Sequence, residues 1–479
     1  SKNIRSDMSE YREEVLNKLK VGSLTNLNES LNYSFGPQWV SWFKPNFSYN
    51  TNYTWNKPLN SVIDAANLNL VKNTAINLSI SPTEIIETFY TPLSKRQSKP
   101  SSRTRSRGLS SFNSEEDKDK ETQKDSPEKK NSSEINSLFL ERIYNESKKI
   151  EPLTLTITNN TNRLSNGIDG DVPLGYRLGL KDNHGLSSVS EVGLNTGNED
   201  IKKSFTARSG IRFNPQTSLS ISFNESISSN INGYSIDIRS ISRDYISFGN
   251  NLSKGFPFLN WSFRIGGLEK IGFIKPYVSS VSLEHAFSGK QNLSWKFNED
   301  GIAPINLFGI SSFEDDFNDS LQLSRITRSF TPLIGISTSF KNGVSTNIRS
   351  NVTHTLDEVA TGLTYISDNS ILATITYNFS KGIRFELPFT ERNINLRNNM
   401  NISLNFDFSN KKEEGSKDKI NFVEQNFSNT RKSILRITYT LTDDVTGSLF
   451  YEYRENDTRL TGRRIDRDFG INLNVAIRG

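Results

Sequence analysis

Over residues 433–479, apolar residues recur at every second position. Leu435, Ile437, Tyr439 and Leu441 alternate with Arg436, Thr438, Thr440 and Thr442. After the polar break at 443–447, Leu449, Tyr451 and Tyr453 stand against Ser448, Glu452 and Arg454. The last run sets Phe469, Ile471, Leu473, Val475 and Ile477 against Gly470, Asn472, Asn474 and Arg478. A period of two places successive side chains on opposite faces of a strand. Each run therefore predicts a ribbon that is oily on one side and wet on the other.

The same pattern recurs upstream. Phe43, Pro45, Phe47, Tyr49, Thr51, Tyr53 and Trp55 alternate with Lys44, Asn46, Ser48, Asn50, Asn52, Thr54 and Asn56. Further runs follow at Leu219-Ile221-Phe223, Leu259-Trp261-Phe263-Ile265 and Met400-Ile402-Leu404-Phe406-Phe408. The spacing predicts roughly fourteen or more strands, joined alternately by short turns such as residues 341–343 and by longer polar loops. Membrane-spanning strands need ~9–11 residues between aromatic girdles, and the run from Phe43 to Trp55, aromatic at its end, meets that length.

Composition agrees with a wet interior. Only 34% of the 479 residues are apolar and mean hydropathy is -0.56, little for the core of a large soluble fold. A barrel needs apolar side chains only on its outer band. No stretch approaches the ~18 apolar residues of a membrane helix. The absence of cysteine excludes disulfides and thiolate metal sites. Fifty-eight basic against 53 acidic residues leave a net charge of +5, too small and too dispersed for a nucleic-acid footprint. The start at Ser1, without Met or a signal peptide, reads as a piece of a longer protein.

The chain divides into an amphipathic helix and lead-in strand (1–35), first barrel strands (36–93), a disordered charged loop (94–134), and the remaining strands with the terminal hairpin (135–479). The helix is read from Ile4, Met8, Tyr11, Val15 and Leu19. The lead-in strand is expected from Leu24 to Phe35, and a second short helix over 138–150. Nothing supports an enzyme. His184, His285 and His354 have no ligand spacing, and no phosphate loop or nucleophile elbow occurs. Glu314-Asp315-Asp316 has the oxygen ligands calcium prefers but reads as a solvated loop. No cofactor or metal is expected.

Several segments look familiar in combination. Pro37-Gln38-Trp39 through Trp42 and on to Tyr53-Thr54-Trp55 is one. Phe256-Pro257-Phe258-Leu259-Asn260-Trp261, Gly266-Gly267-Leu268-Glu269-Lys270-Ile271 and Val281-Ser282-Leu283-Glu284-His285-Ala286-Phe287 form another. Ser329-Phe330-Thr331-Pro332-Leu333-Ile334-Gly335, followed by 341–347, is a third, and 405–479 closes the set. In this order they resemble the last part of the SprA (Sov) family, the outer-membrane translocon of the type 9 secretion system in Bacteroidota and related phyla. The loop at 94–134 resembles an insertion, and the family's chains are several times longer. The resemblance implies a very wide barrel exporting folded proteins, joined by the rest of the translocon barrel. It also implies a lateral-gate cap protein, a periplasmic plug and cargo bearing C-terminal sorting domains.

The expected fold is therefore an all-β, antiparallel transmembrane β-barrel with one or two short helices in loops, the C-terminal segment of a larger wall in the bacterial outer membrane. Lumen-facing candidates are Asn46, Ser48, Asn50, Asn52, Arg264, Asn405, Arg436, Arg454, Asn472 and Asn474. Lipid-facing candidates are Phe47, Tyr49, Ile402, Leu404, Phe406, Leu435, Ile437, Phe469, Ile471, Leu473 and Val475. Trp39, Trp42, Trp55, Trp261 and Tyr453 are candidates for the interfacial belts. A porin or nutrient-receptor barrel, and a surface structural β protein, are the alternatives.

Overall fold

The computed structural model describes residues 2–4, 24–57, 65–92, 132–186, 197–232, 236–248, 252–297, 321–379, 383–386, 393–396, 398–442 and 444–476. The first part of the chain holds β1 (Lys2–Ile4), β2 (Leu24–Phe35), β3 (Phe43–Asn56), β4 (Ala66–Ile80), α1 (Pro82–Phe89) and α2 (Ser132–Ser147). Next come β5 (Leu153–Ile168), α3 (Leu174–Arg177), β6 (Gly197–Asn214), β7 (Thr217–Asn232), β8 (Ile236–Ser247), β9 (Gly255–Pro257) and β10 (Asn260–Gly266). The long strands β11 (Val278–Phe297), β12 (Leu321–Phe340), β13 (Val344–Val359) and β14 (Gly362–Phe379) follow. The small hairpin β15 (Ile383–Glu386) and β16 (Asn393–Leu396) precedes β17 (Met400–Ser416), β18 (Val423–Thr442), β19 (Val445–Thr458) and β20 (Gly462–Val475).

Eighteen strands form one sheet, and β15 and β16 pair only with each other. Every pairing is antiparallel, and from β1 to β8 each strand pairs with the next. From β11 onwards the meander resumes, with β14 pairing to β17 across the small hairpin. Between β7 and β11 one strand position is filled by two pieces laid end to end. β8 covers one half of both neighbours and β10 the other. The chain leaves the sheet between them as a hairpin with arms at residues 245–248 and 252–258, the return arm holding β9.

Among the described residues nothing pairs with the outer side of β20, nor with β2 beyond Leu27, so the sheet has two open edges. Short connections occur at both ends of the strands rather than at one. Two residues separate β6 from β7 and three separate β12 from β13 at one end, while two separate β13 from β14 and three separate β19 from β20 at the other. The expected alternation of short and long connections is corrected accordingly. Turn length follows local register, and both ends contain tight hairpins.

Helix α1 begins where Ser81 accepts the Glu84 N–H on its side chain and Pro82 occupies the first turn. It is clipped to α2 by Tyr90 Oη donating to Glu141 at 2.6 Å and Tyr144 Oη donating to Glu87 at 2.9 Å. The helix read over 138–150 runs from Ser132 to Ser147, so residues 132–134 of the charged segment already belong to it. Of the helix read from Ile4, residues 5–21 lie outside the described residues, and Ile4 itself belongs to a strand paired with β2. Glu314, Asp315 and Asp316, and residues 477–479, also lie outside the described residues.

A two-faced wall as the candidate functional site

Register carries one face unbroken across the sheet. Tyr49 is opposite Thr74 and Phe47 opposite Ile76, which pairs in turn with Ile157 and then Phe205. Further on, Ile402 pairs with Ile437, Leu404 with Leu435, Leu449 with Ile471 and Tyr451 with Phe469. All eleven apolar candidates, Phe47, Tyr49, Ile402, Leu404, Phe406, Leu435, Ile437, Phe469, Ile471, Leu473 and Val475, therefore lie on one face. All ten polar candidates, Asn46, Ser48, Asn50, Asn52, Arg264, Asn405, Arg436, Arg454, Asn472 and Asn474, lie on the other.

The oily face is oily over only part of its height. Along β17 it reads Met400, Ile402, Leu404, Phe406 and Phe408, then Asn410, Lys412 and Glu414. Along β20 it reads Val475, Leu473, Ile471 and Phe469, then Arg467. The apolar side chains of β20 stand in the open, Ile471 at 71% exposure. A nine-residue run such as 400–408 spans about 30 Å at ~3.4 Å per residue. Tilted as barrel strands are, that approaches the ~25 Å apolar band of an outer-membrane wall.

The band crosses the strands obliquely. Following direct partners from Phe287, the row passes Phe330, Val352, Asn369, Asn410, Asn429 and Asp457 and arrives at Arg463. Phe469, where the apolar run of β20 begins, lies six residues further on. Six residues of offset over seven strand-to-strand steps correspond to a tilt of about 30° at ~3.4 Å per residue and ~4.8 Å per step. Strands of closed transmembrane walls tilt by ~35–45°.

The wet face is the concave one. Arg212, Ser220, Arg264, Ser337, Asn347 and Thr374, drawn from β6 through β14, line a single cavity of about 950 Å³. Its charges are paired locally. Glu284 lies 3.2 Å from Arg349 and 3.9 Å from Arg264, and Glu452 lies 3.1 Å from Lys432 and 2.5 Å from Arg454. Arg436 lies over the Phe450 ring, 5.8 Å from its centroid. Such a surface is hydrophilic without a strong field of either sign. Leu372, Ile434 and Phe450 interrupt it.

The aromatic candidates distribute unequally. Tyr453 and Trp261 sit on the oily face at its polar margin, Trp261 stacked on Phe287 at 4.3 Å. Trp39 and Trp42 occupy the turn before β3, Trp39 exposed and Trp42 against Phe43. Trp55 and Tyr49 differ from expectation. Residues 169–186 fold over the oily face of β2–β5 as a strap, and Trp55 packs against the cluster of Tyr53, Leu68, Leu70, Ile168, Val172 and Tyr176 beneath it. Tyr49 Oη donates to the Leu178 carbonyl at 2.8 Å, so its outer end is covered by protein.

Ion pairs hold the strap down. Asp182 accepts from Arg163 at 2.8 Å and from Lys72 at 3.1 Å, and Arg177 pairs with Glu29. Hydrogen bonding from Arg163, then from Lys72, keeps the Asp182 carboxyl below its usual range against an opposing effect of burial. His184 packs edge-on to Tyr176 and accepts the Leu186 N–H on Nδ1, and burial lowers its pKa. Strand periodicity does not report a strap that crosses over the strands. The one sequence signal is Gly179, at φ 69, where a Cβ would meet Thr51 and Tyr49 at 2.8 Å.

Among the described residues no group of three or more His, Asp or Glu could hold a metal ion, and no helix is long and apolar enough to cross a membrane. The molecule is a tilted antiparallel sheet, apolar in a band on one face and polar and concave on the other. No known family model and no curated protein matches the chain.

Proposed function

We propose that this chain is a wall segment of a wide outer-membrane β-barrel that conducts polypeptides out of the cell, as in the type 9 secretion translocon it resembles. The observation carrying the reading is the union of an oblique apolar band about nine residues tall with a concave polar face in one continuous register. In lipid every backbone polar group must be paired, so a spanning sheet ends in closure or against another strand. The two open edges fit a wall completed by the rest of a larger barrel. The strand ends carrying Val475 and Met400, where the apolar band reaches the end of the strands, face the periplasm. The polar extensions carrying Lys412 and Arg463 project outside the cell. A lateral-gate cap, a periplasmic plug and cargo with C-terminal sorting domains are the partners this reading implies.

Pore width discriminates this function from a porin or nutrient receptor. The chain has no cysteine, so Asn405→Cys in cells carries a single reactive thiol on the wet face. A maleimide on a small folded protein should reach it from the aqueous side, and the bulky adduct should arrest polypeptide export. If only small maleimides react, and only solute flux falls, the chain lines a narrow pore instead.

A further inference from the structure

The hairpin, with arms at residues 245–248 and 252–258, leaves the sheet between β8 and β10 and lies on the oily face. Its backbone passes directly over Gly289, where a Cβ would stand 1.8 Å from the Tyr245 carbonyl oxygen. It reaches across β12 and β13, because Leu252 and Tyr245 are buried in one cluster with Ile326 and Leu356. Those two side chains satisfy its inward face. Three of its other apolar side chains, Phe248, Phe256 and Phe258, contact one another with ring centroids 5.9 and 5.7 Å apart and remain 58%, 48% and 40% exposed. Exposed Lys254 stands beside them at the start of the return arm.

Height decides what this aromatic knuckle meets. The next residues inward from Gly289 and its partner Arg328 are the stacked Trp261 and Phe287, with Phe330, on the last apolar row of the band. The hairpin therefore crosses where the band gives way to polar rows. At that depth a bilayer offers the headgroup boundary, which favours aromatic rings flanked by cations.

We infer that the hairpin is an outward membrane anchor whose Phe248–Phe256–Phe258 knuckle enters the boundary between lipid headgroups and acyl chains. It holds the wall at a position where, among the described residues, one strand is made of two pieces. The inference rests on the membrane-wall reading and adds a lipid-binding element to it.

Single thiols test it in the full chain, reconstituted in vesicles containing phospholipids brominated either near the headgroup or deep in the acyl chain. A fluorophore on Phe256→Cys should lose emission to the shallow bromines more than to the deep ones. Leu473→Cys, in the band, should be quenched, and Leu460→Cys, 90% exposed in the turn before β20, should not. A Phe256 label as wet as the one at Leu460, with Leu473 still quenched, overturns the anchor and leaves the wall intact. A Phe256 label shielded from aqueous iodide yet unquenched by either lipid overturns it in favour of a covering protein. If the Leu473 label is also unquenched, the wall reading falls and takes the anchor with it.

Discussion

Asn260 Oδ1 accepts the backbone N–H of Gly289 at 2.8 Å, at the point where one strand position of the sheet is divided between β8 and β10. On the other side of the division the Asp244 carboxylate accepts both the backbone N–H and the side-chain amide of Asn224, at 2.7 and 2.9 Å. Two side chains thus stand in for the ladder partners that the departing hairpin takes away. An unpaired buried N–H costs about 1–3 kcal/mol, so the break can exist only if something splices it.

Removing a splice should be costly. Asn260→Ala is expected to lower unfolding stability by about 1–3 kcal/mol, and Asn260→Asp should be costly too, because the Asn260 amide bonds the partly buried Asp244 carboxylate and a second carboxylate there would repel it. Urea unfolding of the reconstituted protein compares them. Equal midpoints for Asn260→Ala and the parent would show that the splice is dispensable.

Gly289→Ala forces the hairpin off the sheet, since a methyl cannot share space with the Tyr245 carbonyl. Overpacking of this kind costs about 1–3 kcal/mol, and protease cleavage within 245–258 should accelerate. Gly272→Ala, with nothing within 4 Å of the added carbon, is the matched control and should cleave at the parental rate.

Adjacent positions on β20 should respond oppositely to charge. Arg at Leu473 is expected to cost about 2–4 kcal/mol in a bilayer-folding assay, and Arg at Asn472 close to nothing. Equal tolerance would contradict the assignment of the two faces.

Acid should loosen the strap in two stages. His184 has a lowered folded pKa, so the unfolded state binds its proton more readily and stability falls as pH drops below about 6.5. Asp182 is also lowered, so its contribution is present above about 4 and is lost as pH falls through its lower folded value. Hydrogen exchange across residues 169–186 should accelerate over both windows. Asp182→Asn should abolish the lower stage alone and leave the upper one, and two unchanged stages in that variant would refute the role given to Asp182.

The alternating runs were legible because parity is a local property. Leu24–Phe35 as a strand, the apolar set of β17 and β20, and the facing of Arg436 against Leu435 all follow from reading every second residue. Trp55 and Tyr49 were misjudged because a strap from residues 169–186, distant in sequence, lies over strands that were read as bare. The hairpin at 245–258 was equally hidden, since Leu259-Trp261-Phe263 alternates as though it began an independent strand when it completes a broken one. Gly289 was the available clue, a glycine inside an alternating run marking the close approach of another backbone.

By itself the sequence determined which side of each ribbon is greasy, because the pleat assigns faces one residue at a time without reference to neighbours. Only the tertiary structure decided that these sides join into a single slanted belt, that the polar side is the hollow one, and that two segments lie across one rim of the belt. Those properties depend on interstrand register and curvature, which are set by hydrogen bonds between residues far apart in the chain.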